Sequence, residues 1–599
     1  LVATQWTFER KQCRDVWMLD MKPIIDPRDG DLEDDASSTK RRSMLSLAGS
    51  LFAEISLAKL FLSWTMLFIL PGLLLGLTPL IASAWLSLVS GKIAYLLVGI
   101  WPALLLLMLA AVGLFGARSL FRIAESSFWS LNSLAIEPVY TACREGMRHL
   151  AETLFRSRIT KSRLAAFRAV SAVAAGILMF GAAAIVVMLA WPNSRWLGNI
   201  LVLTSLHNLA TVALANSAVL VAAYFGVAAL VWAFADATMP PLRDFDEFLA
   251  GPHAGRTWRI AHLSDIHFVG ERYGFRIESG RSGPRGNGRL SRLFALLDVI
   301  HSSKPLDLVL VTGDVTDAGR SAEWSEFRSL AAAYPRLAER VLILPGNHDL
   351  NIVDRANPAR LDLPTSPNRT LRRLRFLSAA DAFQSGRVRV VDYGRGRLAG
   401  SLSEVLKQHR TEMTKFADVG RPWLSKTLNE LWAAVFPMVL PPDQDDGLGI
   451  MLLNSNADTH FSFTNALGMI PAEQVRGIEI VAAQYPKARW IIALHHHVIE
   501  YPRPAKVLSE RIGTALVNGN WFVRRLQVLG GRAVLMHGHR HIDWIGECAG
   551  LPIVSAPSPV MEVTNEVDTY LYVHTLAVRS DGQLSLMSPE RIVVNGETA

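Results

Sequence analysis

The sequence predicts two architectures in succession, an all-α transmembrane region and then an α/β domain with a buried sheet, and three observations carry that prediction. Residues 1–236 hold four long stretches free of charge. Beyond about residue 257, short runs rich in Val, Ile and Leu alternate with helical segments. Five of those runs end in a short motif of His, Asp, Asn and Gly. At 599 residues the chain is too long for one ordinary domain. A hydrophobic fraction of 50% and a mean hydropathy of +0.24 are high for a water-soluble protein.

No charged residue lies between Lys59 and Lys92, Lys92 and Arg118, Arg168 and Arg195, or Arg195 and Asp236. Each gap exceeds the roughly 20 apolar residues that span a bilayer. Helices are expected at about 60–81, 93–116, 169–191 and 209–235, with Trp64, Trp85, Trp101, Trp191, Trp196 and Trp232 near several ends, where interfacial belts put them. Buried core helices are the competing reading, and four charge-free stretches in succession weigh against it. The loop from Gly116 to Arg168 carries Arg118, Arg122, Arg144, Arg148, Arg156, Arg158, Lys161, Arg163 and Arg168, whereas 82–92 and 192–208 carry only Lys92 and Arg195. Lys and Arg concentrate on the cytoplasmic side. Four spans with that loop inside put both termini in the cytoplasm.

The expected organisation is therefore a cytoplasmic, partly disordered tail over 1–58, a four-helix transmembrane region over 59–238, a linker over 239–256 and an α/β domain over 257–599. The acidic stretch Asp26 to Asp35 supports the disordered tail. No secretory signal is expected, because the first apolar span begins only near residue 60. Cys13, Cys143 and Cys548 are far apart, which suggests neither a disulfide framework nor a thiolate zinc site. The net charge of +8 owes part of its excess to the membrane-flanking loop, so nucleic acid is not an expected partner. The whole reads as an integral membrane protein of a bacterial inner membrane, its α/β domain facing the cytoplasm.

Within that domain, Thr257 to Ser264, Asp307 to Thr312, Val341 to Leu344, Trp490 to Leu494 and Ala533 to Met536 read as buried strands. Helical stretches Arg289 to His301 and Ala322 to Ala332 separate the first three, a β-α-β-α-β order that implies a mostly parallel sheet. Gly449 to Leu453 and Pro552 to Val554 are further strands, and Thr569 to Val578 with Gln583 to Val594 look like antiparallel closing strands. The region of about 354–446, with Leu371-Arg372-Arg373-Leu374-Arg375-Phe376 and Leu428 to Phe436, shows no strand order. It is expected to form a helical cap or lid, or else a packed decoration.

The strand-end motifs are Asp265-Ile266-His267, Gly313-Asp314, Gly346-Asn347-His348-Asp349, His495-His496-His497 and Gly538-His539-Arg540-His541. In an open α/β sheet they would converge beyond the carboxyl ends of the strands. They supply oxygen and imidazole ligands enough for two divalent metals. Asp265 and His267, two apart in a tight turn, can reach one metal.

This ordered set resembles the calcineurin-like metallophosphoesterase superfamily, whose signature is DxH, GD, GNH(D/E), a strand-end His and GHxH. The resemblance covers about 255–560 and implies the four-layer-type metallophosphoesterase β-sandwich flanked by helices. It implies one metal site of Asp265, His267, Asp314 and His541 and a second of Asp314, Asn347, His495 and His539, with Asp314 bridging. It also implies that His348 is the catalytic residue, facing the leaving-group oxygen, while Asp349 orients His348 or caps the following helix. His495 is chosen as the ligand by comparison with the family's His-His-Pro turn; His496 is the runner-up, and His497 departs from the proline.

The implied activity is two-metal hydrolysis of a phosphoester, nucleotide or phospholipid-like, by a bridging hydroxide. Carboxylate, amide and imidazole ligands without thiolate suit Mn, Fe or Zn. A cyclic-nucleotide phosphodiesterase is the alternative enzyme, and a sensor or transporter with a non-catalytic phosphoesterase-like domain the alternative class. Arg272, Arg276, Arg281, Arg285 and Arg289 could meet a phosphate or could form a basic surface loop.

Overall fold

The computed structural model describes residues 65, 69–96, 137–154, 161–197, 206–249, 255–271, 274–277, 285–354, 360, 362, 366–420, 422–460, 462–501, 508–561 and 568–594. They divide into two compact units, one within 52–239 and one from residue 240 onward.

The first unit is helical: α1 (Leu70–Leu96), α2 (Glu137–Leu154), α3 (Lys161–Ala190) and α4 (Leu206–Ala237). Three segments, Leu70–Ser87, Ala165–Asn193 and Asn208–Ala237, are long and apolar enough to cross a membrane. They turn large apolar groups such as Trp85, Leu189 and Phe234 outward, the reverse of a helix in a soluble core. Small residues bring α1 and α4 together, since a Cβ on Gly76 would stand 1.7 Å from the Ala213 carbonyl oxygen. At that crossing the buried Asn216 amide donates to the carbonyls of Gly76 (3.0 Å) and Arg195 (2.7 Å).

α2 is amphipathic and docks by its polar face. The Arg144 guanidinium meets Asp236 of α4 at 2.6 Å, and Glu145 accepts from Arg144 (3.0 Å) and Arg148 (2.7 Å).

Two expectations are corrected here. The loop placed at 82–92 is part of α1, whose Ser83 and Ser87 hydroxyls donate back to the carbonyls of Leu80 and Ala84; the single charge of Lys92 does not end a helix. The loop placed at 116–168 contains α2 and the first turns of α3. Most of the span at 93–116 and the tail at 1–58 lie outside the described residues.

The second unit has fifteen strands among its described residues: β1 (Leu242–Asp244), β2 (Thr257–Leu263), β3 (Leu308–Val311), β4 (Val341–Ile343), β5 (Arg389–Asp392), β6 (Arg397–Ser401), β7 (Met438–Leu440), β8 (Leu448–Leu452), β9 (Arg489–Ala493), β10 (Ala533–His537), β11 (Trp544–Cys548), β12 (Leu551–Ser555), β13 (Thr569–Val578), β14 (Leu584–Leu586) and β15 (Glu590–Val594). They form a nine-stranded sheet in the order β1-β11-β12-β10-β9-β8-β7-β5-β6 and a six-stranded sheet in the order β14-β13-β2-β3-β4, with β15 also on β13. One continuous core joins them, with Ile260, Leu310 and Leu342 from one sheet and Ile491, Val534 and Val554 from the other.

The sandwich agrees with the family resemblance. β2, β3 and β4 are parallel in one sheet, and β8, β9, β10 and β12 are parallel in the other. Strands buried on both faces read alike, so their sequences do not say which sheet they join. The closing strands are antiparallel as expected, but Gln583 to Val594 splits at Pro589 into β14 and β15, which pair with opposite halves of β13.

The 354–446 region is a packed decoration rather than a purely helical cap. β5, β6 and β7 extend the nine-stranded sheet, and Leu371, Phe376, Trp432 and Phe436 from its helices lie in the common core.

Candidate metal centre

The five motifs occupy the carboxyl ends of strands in both sheets: β2, β3 and β4 in one, β9 and β10 in the other. Backbone bonds stitch the loops together. The Asp265 and His267 amides donate to the carbonyls of Gly313 (3.1 Å) and Asp314 (3.0 Å), and the Gly538 amide donates to His495 (3.0 Å).

Five motif residues adopt left-handed backbone, at φ of 55° (Asp265), 44° (His267), 50° (Asp314), 77° (His539) and 52° (His541). Among described non-glycine residues only Ala549 shares that conformation. Left-handed non-glycine residues are uncommon, and strain of this kind clusters at functional sites. The glycines permit close approach. A Cβ on Gly346 would stand 2.1 Å from Asp314 Oδ1, and one on Gly538 would stand 1.8 Å from Ser264 Oγ.

Each carboxylate has one oxygen held and one turned inward. Asp314 Oδ1 accepts from the His348 amide (2.8 Å), while Oδ2 lies 3.3 Å from His495 Nε2 and 3.8 Å from His267 Nε2. Asp265 Oδ2 accepts from the His539 amide (2.9 Å), and Oδ1 approaches His541 Nε2 to 3.3 Å. His495 Nδ1 donates to the Thr312 carbonyl (2.8 Å), which turns Nε2 toward Asn347 Oδ1 (3.0 Å) and His539 Nδ1 (3.1 Å).

The donor atoms fall into three overlapping groups within 4.8 Å: Asp265, His267 and His541; His267, Asp314 and His348; and Asp314, His495 and His539. Asp265 Oδ1, both His267 ring nitrogens and His539 Nε2 are buried without a hydrogen-bond partner. Orphaned buried polar atoms are costly. A carboxylate oxygen and imidazole nitrogens facing one another are donors that divalent cations would satisfy, so the residues fit a dinuclear centre.

The electrostatics agree. Burial alone would raise the Asp314 carboxyl, but His495 and His348 outweigh it and hold it far below the carboxylate range. Burial would lower His495, yet Asp314 lifts it to about 9.

A family model described as calcineurin-like phosphoesterase matches residues 259–543. The chain carries a calcineurin-like phosphoesterase domain. That domain is also similar to a probable cyclic nucleotide phosphodiesterase of Coxiella burnetii, 29% identical over 105 residues, which are 17% of this chain and 36% of that protein. The chain thus matches about a third of the length of that curated relative. Among solved structures it is similar to a dimetal phosphatase from Danio rerio (10% identity, 57% of this chain and 99% of that one, TM-score 0.32). A purple acid phosphatase from yellow lupin (Lupinus luteus) seeds is another (12% identity, 58% and 55%, TM-score 0.26).

The phosphoesterase domain brings all eight expected site residues together. His495 Nε2 points into the cluster, whereas His496 is in none of the three donor groups; its Nδ1 is 2.9 Å from Ser455 Oγ and its ring packs 4.4 Å from that of His539. Asp349 is a cap: its carboxylate accepts from the Gly346 and Thr316 amides (2.9 and 2.8 Å) and the Thr316 hydroxyl (2.6 Å). His348 is oriented instead by the Asp317 carbonyl, 2.7 Å from its Nδ1.

Asp317 is a residue that sequence reasoning missed. Its carboxylate accepts from the Ile277 amide (2.9 Å) and lies 3.4 Å from His267 Nδ1. The only available signal was an acid three residues beyond Asp314. The Leu371 to Phe376 segment was also undervalued. Its buried Arg372 pairs with Asp362 and donates to the Leu350 carbonyl (2.8 Å), and Arg375 donates to the Gly319 carbonyl (3.0 Å), pinning the loops that follow β4 and β3. Of the arginines after the first motif, Arg276 and Arg289 are buried rather than on a surface loop, and Arg285 covers Phe275. Arg272 and Arg281 lie outside the described residues.

Proposed function

We propose that the chain is a membrane-anchored, metal-dependent phosphoester hydrolase. The observation that carries this reading is the convergence of three overlapping carboxylate and imidazole groups within 4.8 Å on loops from two sheets. Asp265, His267, Asp314 and His541 hold one ion, and Asp314, Asn347, His495 and His539 the other, both from the Mn, Fe or Zn class. When bound, the ions would polarise the phosphoryl oxygens and supply hydroxide at neutral pH.

The chain's own residues do the rest. The Asp317 carbonyl holds the proton on His348 Nδ1, so His348 presents Nε2 to the leaving-group oxygen and delivers a proton to it when protonated. The capped Asn347–Leu350 turn and the Asp265 and Asp314 hydrogen bonds fix the donors before substrate arrives.

The apolar helices anchor the hydrolase through the three segments long and apolar enough to cross a membrane, and the Lys and Arg between the first and the second favour a phosphoesterase domain in the cytoplasm of a bacterial cell. The match to a cyclic nucleotide phosphodiesterase favours diesters, nucleotide or phospholipid-like, over monoesters.

The full chain, purified in detergent with Mn²⁺, is expected to hydrolyse bis(p-nitrophenyl) phosphate faster than p-nitrophenyl phosphate and to lose turnover on Asp314→Ala. A panel that adds a cyclic nucleotide and a glycerophosphodiester tests the substrate class. Absence of metal-dependent turnover on every member would overturn the reading in favour of a non-catalytic sensor.

A further inference from the structure

His497, the residue that stands where the family turn carries proline, lies within a stack of rings that ends on His539. Its imidazole is nearly parallel to that of His539 (centroids 6.1 Å apart, 13° between planes) and, on another side, to the Tyr501 ring (5.5 Å, 20°). Tyr501 is itself fixed. Its hydroxyl is 2.8 Å from Ser555 Oγ, and the Arg540 guanidinium lies 5.4 Å from its ring centre while bonded to Glu500 at 2.8 Å. The His497 and Tyr501 rings are buried, and His539 is half-buried.

The need for such a stack follows from how the neighbouring histidines are oriented. A metal-binding imidazole is normally aimed by a hydrogen bond at its other nitrogen. His495 has the Thr312 carbonyl; His267 makes no such bond, although Asp317 Oδ1 lies 3.4 Å from its Nδ1. His539 has nothing of the kind: Nδ1 points toward His495 Nε2, and Nε2 is buried without a hydrogen-bond partner among the described residues. Its backbone, at φ 77°, is also the most displaced of the five left-handed motif residues. The plane of its ring is therefore set by packing, between the tilted His496 ring (4.4 Å, 43°) and the parallel His497 ring.

We infer that His497 is a positioning residue that aims the His539 imidazole by ring stacking, with Tyr501 and the Arg540–Glu500 pair as its backing. Resting on the proposed metal centre, this predicts that the flat face of residue 497, not its nitrogens, sets the affinity of one of the two ions. Removing a support of this kind costs about 10- to 100-fold in metal affinity.

The test is Mn²⁺ binding to the full chain in detergent, followed by calorimetric titration and by metal content after dialysis, with no substrate present. His497→Leu keeps the bulk and removes the plane, and it should weaken one of two equivalents at least about 10-fold while leaving the other unchanged. His497→Phe, which restores a plane without nitrogens, should recover binding to within a few-fold. Two tight equivalents in His497→Leu, or a folded His497→Phe as impaired as His497→Leu, would overturn the inference. Should His497→Leu not fold, Tyr501→Leu tests the same stack from its far end, and wild-type affinity for both equivalents there counts equally against it. If the wild type binds no Mn²⁺, the metal centre itself fails and the inference with it; a wild type with two equivalents and indifferent variants fails the inference alone.

Discussion

Replacing Asp314 by Asn separates the two things this residue does. The amide keeps an oxygen for the His348 amide, which now bonds Oδ1 at 2.8 Å, but it removes the charge that faces His495 and His267 at 3.3 and 3.8 Å. An ion held at a hundred times its dissociation constant stabilises the folded state by about 2.7 kcal/mol, so two ions contribute about 5 kcal/mol. A domain of about 340 residues unfolds with an entropy of roughly 0.7 kcal/mol per kelvin, which converts the two ions into a Tm rise of about 8 °C. Asp314 faces both donor groups, so Asp314→Asn should reduce that rise to under about 2 °C rather than halve it. Its Tm in EDTA should lie below wild type, because the amide loses the attraction of His495 and His348 that outweighs the relief of repulsion with Asp265, so the Mn²⁺ shift is read within each protein. The assay is scanning calorimetry of the full chain in detergent, in EDTA and in Mn²⁺, with Glu323→Gln as a buried-carboxyl control away from the cluster. An Asp314→Asn protein that keeps the full Mn²⁺ shift would refute the shared-carboxylate reasoning.

His348→Ala should lower kcat by about 10²- to 10⁴-fold with two ions retained, measured by turnover and metal content on the same sample. Arg372→Met leaves the Asp362 carboxylate buried without its partner and the Leu350 carbonyl without its donor, and it should cost about 3–5 kcal/mol, read as a Tm fall of some 4–7 °C. The pH dependence of stability has two opposed parts. Burial depresses His574 to about 4, below its ordinary 6.5, so its contribution is intact above pH 6.5 and is lost toward pH 4; His574→Phe should flatten that acid limb by up to about 3 kcal/mol in urea melts. Burial raises Glu323 to about 8, so its contribution is full below pH 4.5 and lost as pH rises through 8; Glu323→Gln should flatten the alkaline limb.

The site was more legible in the sequence than the sheets that build it. Asp265, Asp314 and His539 announce themselves because each follows a short apolar run and sits beside a glycine or a second ligand, a local pattern. Sheet membership is not local: β3 (Leu-Val-Leu-Val) and β9 (Arg-Trp-Ile-Ile-Ala) are both buried runs, and only tertiary pairing separates them. The strands β5 to β7 are three to five residues long and lack alternation, so the region around them read as helical. Arg372 and Arg375 are buried although charge ordinarily marks solvent, because loop carbonyls and Asp362 receive them. Asp317 and His497 carry only faint signals, an acid near Asp314 and a departure from the family's proline, since what they do depends on rings and carboxylates brought together by folding.

The division of the donors between two sheets also sets when they can first meet. Asp265, His267, Asp314 and Asn347 leave the ribosome long before His495, His539 and His541, and the first and last of these are separated by nearly half the chain. Domains fold as units, and pairings between distant segments are slow to form. A nascent chain therefore holds half a donor set, rich in oxygen and poor in imidazole, until the segments that carry His495, His539 and His541 have been made.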